Sequence, residues 1–524
     1  LQGRINRVKV SADLAIEKEP IKSLNLIQAF YEHRSYRPVW VGEDKSPGLV
    51  YNLLKSIRNA NREALDPNDY HLEVLEKFDN SFGSLRSRDQ PLILNNLVDF
   101  ELLSTDAFLT YASHLLSGRI NPASVDPEVT ANSKEVDFIR LMKTALDSNQ
   151  IESVFNGLLP FHPGYMKLRD SLMRYRKIAD KGGWPAVPYG RNLQSGDTDK
   201  RVRMLIERLR FENRAPQRSI FNKTRFDYHL EQAVRLFQQR HGLEADGIVG
   251  PHTLRTLNIT TAERIRQIEL NMERWRWLPQ HLGRCYVIVN IADFKLEIYE
   301  MNQPVMVMRT VVGQNYRRAP VFGTQITHLV PNPYWNVPKI IAVEDILPQI
   351  QMDPNYLNRH GLKLFQDLAG GAVEIDPETV DLKAVTAENF YIRFQQNPGP
   401  ANALGHVKFM FPNKYDVYIH DTPSQDLFAK PIRNFSSGCV RIEKPIDLAE
   451  YLMQGDPRWT RKNIIAAIDS GVTQTIRLPS PIPLYFIYWT AWADNDGMVH
   501  FREDIYERDR ILEKALHMKY EDKY

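Results

Sequence analysis

The sequence predicts a multidomain α+β protein: a helical N-terminal region, a small three-helix unit, and a β-rich C-terminal half broken by an insertion. Three observations carry that expectation. The chain has 524 residues, and at roughly 100–200 residues per domain it holds about three or four domains. Through the first 200 or so residues, apolar positions recur every three or four, the period of a helix. From Cys285 the period changes to two, that of a strand with one buried face.

The helical reading of residues 1–198 rests on sets such as Leu24, Ile27 and Phe30, or Leu94, Leu97 and Phe100. Pro-containing turns at Asp66-Pro67, Ile120-Asn121-Pro122 and Pro160–Pro163 cut the helices apart. Tyr31, Tyr36, Pro38 and Trp40 form either an aromatic groove or a core edge, and His33, His71, His114 and His162 read as surface or packing residues. A Gly-Gly-Trp-Pro stretch from Gly182 marks a boundary. Residues 199–260 then form a compact unit, with Val202, Leu205, Ile206 and Leu209 on one helix face and Leu230, Val234 and Phe237 on another. A third helix carries Leu254 and Leu257, and residues 261–282 read as a helical linker.

Residues 283–500 form the β-rich domain. Tyr286–Asn290 and Phe294–Tyr299, joined by Ile291-Ala292-Asp293, read as a hairpin. Further strands follow at Val305–Val307, Gln325–Thr327, Val407–Phe409 and Tyr415–His420. Between 339 and 391 the strand rhythm lapses, and Glu344–Leu347 and Pro354–Leu357 read as short helices of a capping insertion. A helix opens at Pro445, a strand returns at Tyr485–Trp492, and the 501–524 tail is helical from Tyr506.

Composition narrows the function classes. The 67 basic and 64 acidic residues leave a formal net charge of +3, which gives no electrostatic reason to expect nucleic acid as a partner. No apolar run reaches the roughly 18 residues a membrane helix needs. The chain opens on Leu1 with no basic-then-apolar leader, so any export signal or anchor is expected upstream. Two cysteines, Cys285 and Cys439, make neither a disulfide scaffold nor a cysteine-rich zinc site. A disulfide between them is formally possible, but it would silence any nucleophile at Cys439.

The chemistry gathers at Tyr418-Ile419-His420 and Ser436-Ser437-Gly438-Cys439-Val440-Arg441. Alternation puts Tyr418 and His420 on one strand face with Ile419 in the core, and Asp421 on the far face. Cys439 is a candidate nucleophile, expected to be favoured as a thiolate by a helix starting shortly after it. His420 is the candidate proton carrier, and the backbone N–H groups around Gly438 are candidates for an oxyanion hole. Arg441 supplies fixed charge, either for a substrate carboxylate or for holding the loop. The competing reading of Cys439 is a small buried hydrophobe, and spacing alone does not decide between them. Cys285, opening an apolar strand, reads as a structural thiol.

The His420–Arg441 segment resembles the active-site signature of the L,D-transpeptidases with a YkuD-type catalytic fold. Ser437 stands where the widespread motif has a second histidine. The likeness continues in Val311-Val312-Gly313, Arg317–Pro320, Asn332–Pro338, Arg393–Pro400 with Asn402–Gly405, Tyr488–Trp492 and Asp504–Tyr506. These blocks are similar to a long, multidomain enterobacterial subclass. Residues 233–254 resemble a common peptidoglycan-binding module, with Gln238, His241, Asp246 and Thr253 as its candidate wall contacts. The stretches around Tyr36–Trp40 and Leu65–Pro67 resemble the helical scaffold that precedes the module in that subclass.

The resemblance implies a cysteine acyltransferase that needs no cofactor and no metal. Cys439 would take the acyl group of a peptidoglycan tetrapeptide stem and release D-alanine, and a second diamino acid's side-chain amine would receive it as a 3-3 crosslink. In the family a backbone carbonyl orients the histidine. The resemblance further implies carbapenems as covalent inhibitors, cell-wall synthesis proteins as partners, and a periplasmic enzyme tethered to the inner membrane. Tyr418, Trp335, Asn336, Ser436 and Ser437 join Arg441 as candidate substrate-binding residues, with Trp335 equally suited to packing. The alternatives are an L,D-carboxypeptidase or crosslink hydrolase using the same thioester, or a noncatalytic wall-binding scaffold.

Overall fold

The helix Gln90–Ser117 runs through the N-terminal region and organises it. From Phe100 to Ala112 it is buried all round, polar and apolar residues alike, with Leu102, Leu103, Phe108, Leu109 and Ala112 in the core. Its buried polar residues gather the surrounding loops. Glu101 accepts hydrogen bonds from the backbone of Val39 (2.5 Å), Trp40 (2.9 Å) and Val41 (3.1 Å) and from the Tyr31 hydroxyl (2.6 Å). Tyr31 and Trp40 are therefore core residues around a buried carboxylate. His71 is likewise interior, between Asp106 (2.8 Å) and Glu19 (2.9 Å). The computed structural model describes residues 1–8, 15–16, 18–41, 48–82, 90–130, 135–212, 224–353, 355–368 and 371–518.

The three-helix unit comprises Arg201–Arg210, Tyr228–Arg240 and Pro251–Leu257. Its core also takes in Val187 and Leu193, so the packed unit starts ahead of residue 199. The following helix, Thr261–Trp275, opens on a capping box from Thr260 and Glu263. It is no exposed linker. Ile268, Met272 and Trp275 lie in the scaffold core, which continues into Tyr286, Ile288, Tyr485 and Trp489.

The C-terminal half is built on nine strands: β1 (Cys285–Asn290), β2 (Lys295–Glu300), β3 (Gln303–Gly313), β4 (Phe322–Pro331), β5 (Val407–Met410), β6 (Ile419–His420), β7 (Asn434–Ser436), β8 (Val440–Ile442) and β9 (Ile476–Ile487). Their order is β7-β3-β8-β6-β5-β4-β9-β1-β2, and β2 also pairs with β3, so the sheet curls back on itself. The β1–β2 hairpin matches its sequence reading, with Asn290 opposite Lys295. The core inside the curl holds Val287, Leu296, Ile419, Val440 and Phe486. The last helix, Arg508–Met518, is tied back to the scaffold by Arg508 on Asp126 (2.8 Å).

The insertion between β4 and β5 extends beyond the expected 339–391 segment and carries a sheet besides the short helices. It has a four-stranded sheet of Trp335–Asn336, Ile392–Gln396, Leu362–Leu368 and Gly371–Ile375. Helical turns from Lys339 to Met352 cover it, including a π-turn at Ala342–Ile346. Its own core contains Ile346, Leu347, Leu364 and Phe394. A short helix occupies Tyr356–Arg359, while Pro354 lies outside the described residues. Asn402 closes the neck of the insertion, donating to Pro333 O (3.0 Å) and Asn397 O (2.9 Å).

Candidate active site

The site forms where β5, β6 and β8 lie side by side. β6 runs parallel to β8, with Ile419 opposite Val440 and His420 opposite Arg441, and β5 places Lys408 opposite His420 on the other side. Cys439, one residue before Val440, is thereby brought level with Tyr418, with His420 two residues further along the neighbouring strand. The Val440 N–H donates to Tyr418 O (3.1 Å) and fixes that register. Ile419 is fully buried in the core, so Tyr418 and His420 share the opposite face, their rings 5.6 Å apart and edge to face.

His420 is buried. Its Nδ1 lies 2.5 Å from Asp421 O. A carbonyl only accepts, so Nδ1 carries the proton and Nε2 is the basic nitrogen. The backbone carbonyl thus orients the ring, while the Asp421 carboxylate turns away to accept from His406 N (2.9 Å). Burial, followed by the Arg441 charge, pulls the imidazole down to about 3, so it is neutral at neutral pH.

The electrostatics of Cys439 differ from the sequence expectation. The residue after it opens a strand, and the nearest following helix starts only at Pro445, beyond the reach of a terminal dipole. Burial pushes the thiol up to about 11, against a partial pull downward from the Tyr418 backbone N–H and from Arg441 and Lys408. The resting pair is therefore a thiol and a neutral base, with no standing thiolate. Neither cysteine is in a disulfide. Cys285 is half-buried, its Sγ 3.3 Å from the Tyr451 hydroxyl.

Gly438 takes φ +110°, and a Cβ there would meet nothing closer than 3.7 Å. The demand is thus on the backbone, which L side chains adopt only with strain. The Ser436 hydroxyl ties the loop, donating to Cys439 O (2.5 Å) and accepting from Gly438 N (3.3 Å). Ser436 is buried and braces the loop from behind, so its reading as a substrate contact is corrected. The Gly438 N–H is also committed to that hydroxyl in this state. Ser437 Oγ accepts from Arg317 Nη1 (3.0 Å). Arg317 in turn grips Glu344 (2.6 Å) and Asp345 (2.9 Å) on the π-turn of the insertion. Gly313 lets this strap pass close, since a Cβ there would lie 2.2 Å from Arg317 O.

Trp335 and Asn336 belong to the insertion's sheet. Trp335 is half-buried against its core, and Asn336 is exposed and accepts from Gln395 Nε2 (2.6 Å). Three of the four wall-contact readings in the three-helix unit are also corrected, while Asp246 stays exposed. Gln238, Thr253 and His241 are buried. Gln238 Nε2 donates to Asp246 (2.7 Å), Ile248 O (2.9 Å) and Thr253 (3.1 Å), shaping the turn that Asp246 also caps. His241 stacks between Phe237 and Phe501 at the domain junction.

Sequence reasoning missed Arg317 and Lys408. Arg317 lies in the Arg317–Pro320 block of the resemblance, but nothing there marked it as a site residue. Lys408 did carry a pattern, because alternation with Val407 and Phe409 places it on the face opposite the core.

With this geometry in view, the family comparisons are specific. Residues 284–459 match the model of the L,D-transpeptidase catalytic domain, 199–257 that of a "Putative peptidoglycan binding domain", and 25–172 that of a scaffold domain. Residues 284–459 are thus an L,D-transpeptidase catalytic domain of the YkuD type. A Haemophilus influenzae protein named "Putative L,D-transpeptidase" is 36% identical over 253 residues, 48% of this chain and 49% of that protein. The chain thus spans about half the length of that curated relative. Among solved structures, an L,D-transpeptidase from Xylanimonas cellulosilytica is 14% identical with a TM-score of 0.18, covering 57% of this chain and 99% of its own. A fused Zn-dependent amidase/peptidase/peptidoglycan-binding protein from Clostridium acetobutylicum is 9% identical with a TM-score of 0.15, covering 57% and 100%.

Proposed function

We propose that the chain is a peptidoglycan L,D-transpeptidase that works through a thioester on Cys439 and forms 3-3 crosslinks. The observation that carries the reading is His420, buried, neutral and held in one tautomer by Asp421 O, beside the one thiol of the catalytic face. As Sγ attacks the carbonyl of the donor's diamino acid, His420 Nε2 takes the thiol proton. The tetrahedral intermediate collapses, the imidazolium gives that proton to the departing amine, and D-alanine leaves. The side-chain amine of a second diamino acid then attacks the thioester, His420 takes its proton, and the thiol is restored. A base that is neutral at rest suits this cycle, because it must accept a proton at the start of each half.

The long multidomain layout, scaffold then binding unit then catalytic domain with a capping insertion, supports placement in the enterobacterial subclass whose representative is called YcbB. That placement carries the remaining expectations: a periplasmic enzyme held at the inner membrane by an upstream segment, and carbapenem acylation of Cys439. Among the described residues no helix is long and apolar enough to cross a membrane.

The test is incubation with disaccharide tetrapeptides, followed by mass spectrometry beside a Cys439→Ala control. A 3-3 linked dimer with release of D-alanine, absent from the control, is the expected result. Tripeptide without dimer would reassign the enzyme as a carboxypeptidase. Neither product, together with no carbapenem adduct on Cys439, would favour a noncatalytic wall-binding role.

A further inference from the structure

Two cations flank the reactive thiol, and neither has an anionic side-chain partner among the described residues. Lys408 and Arg441 are the cross-strand neighbours of His420 on either side, so they face the same way as the imidazole. Both are half-buried. The Lys408 ammonium lies over the Tyr418 ring, 5.5 Å from its centroid. The Nε of Arg441 is buried without a hydrogen-bond acceptor. Burial pulls both groups below their ordinary values, and the only opposing influence on each is the Cys439 sulfur. Two other buried guanidinium groups meet carboxylates, Arg208 on Glu212 (2.6 Å) and Arg508 on Asp126 (2.8 Å), whereas Arg433 is satisfied by backbone carbonyls. A desolvated cation without a counter-charge is costly unless a ligand supplies one.

We propose that Lys408 and Arg441 together form a subsite for the free terminal carboxylate of the donor stem, the one carried by the residue that leaves. This rests on the transpeptidase reading and specifies how its donor is chosen. In a stem that ends one residue past the scissile bond, the carboxylate sits on the carbon next to the scissile nitrogen. Cations beside Sγ meet it there when the carbonyl is placed for attack. A stem longer by one residue puts an amide at that point, which leaves both cations unpaired and must find room for its extra residue. The subsite thus reads the end of the stem, and Lys408 is its specificity residue. Arg441, which follows the nucleophile by two positions, also stands on the strand that fixes the loop.

The experiment compares two donors in single-turnover acylation of the full chain, followed by intact mass: a tetrapeptide stem with a free terminal carboxylate, and the same stem as its terminal carboxamide. A charge-assisted contact predicts that the wild type acylates roughly 10–100-fold more efficiently with the acid. Lys408→Met is expected to collapse that ratio to within about 3-fold by slowing the acid alone. Lys408→Arg is expected to restore most of it. Because the ratio is internal to each variant, a general loss of fold or of thiol reactivity lowers both rates and leaves it unmoved. A ratio in Lys408→Met equal to that of the wild type overturns the proposal, as does a wild type that takes both donors equally while still making product. A wild type acylated by neither donor overturns the transpeptidase reading, and this proposal with it.

Discussion

At the level of single residues, burial sets the chemistry of the Cys439–His420 pair. Two uncharged partners in a dry pocket must transfer the proton in the same step as attack, in contrast to a preformed thiolate–imidazolium pair. Alkylation of Cys439 by iodoacetamide should therefore rise steadily with pH toward the thiol's value of about 11 and show no plateau in the neutral range. A rate already flat from pH 5 to pH 8 would mean that the pair is ionised after all. Acylation by a tetrapeptide should hold its rate well below pH 6.5, because His420 is protonated only near pH 3. His420→Gln should slow acylation by about 10²–10⁴-fold, the usual worth of a general base. In the sequence, strand alternation places the histidine on a face, but spacing alone leaves Cys439 open, and it is the family resemblance that pairs the two. The thiol's pKa was not legible, because it depends on how deep the loop sits and on a strand following Cys439 in place of a helix.

Among elements, the insertion and the nucleophile loop are mechanically joined. Arg317 is buried and holds Ser437 with one end of its guanidinium while gripping two carboxylates of the π-turn. A π-turn turns successive side chains onto neighbouring faces, which is how Glu344 and Asp345 both reach one guanidinium. Since those carboxylates are about half exposed, the grip is worth on the order of 1 kcal/mol per pair and weakens with salt. Replacing both, Glu344→Gln with Asp345→Asn, should speed amide exchange across residues 339–353 by several-fold and leave the β-sheet protected. Unchanged exchange there would show that the insertion's own core alone holds it in place. The insertion was visible in the sequence only as a lapse of alternation. Its outer strand, Gly371–Ile375, is exposed on both faces, so no burial pattern existed to reveal it. In the three-helix unit the opposite happened: Gln238 and Thr253 looked like ligand contacts because they are polar, but the turn they brace consumes their hydrogen bonds.

Over the whole molecule, the domains are fused through buried polar groups, and this makes the assembly sensitive to acid. Glu212 lies fully buried between the three-helix unit and the rest. Burial alone would raise its carboxyl, but Arg208, His241, Arg240 and Arg264 together hold it down to about 2. Arg240 donates to Val499 O (2.9 Å) and Arg502 to Arg240 O (2.8 Å), stitching this unit to the antiparallel pair Ala491–Ala493 and Val499–Phe501. His162 performs a similar service between the scaffold, the helix Thr261–Trp275 and the sheet. Its Nδ1 accepts from Gly164 N (3.0 Å) to cap the helix Pro163–Ala179, its ring stacks on Trp275, and its Nε2 donates to the Tyr286 hydroxyl (2.8 Å). With both nitrogens committed in the neutral form, a second proton has no place, and burial lowers the group to about 4. The unfolded chain binds that proton near pH 6.5, so between pH 6.5 and pH 4 it is the unfolded state that holds more protons. Stability from His162 is therefore complete above pH 6.5 and lost as the pH falls, by roughly 2 kcal/mol between pH 7 and pH 5. His71, raised by Asp106 and Glu19 against its burial, acts in the opposite sense, so the titration must be read on a variant. His162→Asn keeps a capping oxygen and removes the titrating ring. Its apparent Tm should be lower than wild type at pH 7, where stacking is lost, and should fall less steeply from pH 7 to pH 5. Parallel Tm profiles for the two proteins would show that the acid sensitivity of the domain junction resides elsewhere, with Glu212 and His241 as the next groups to vary.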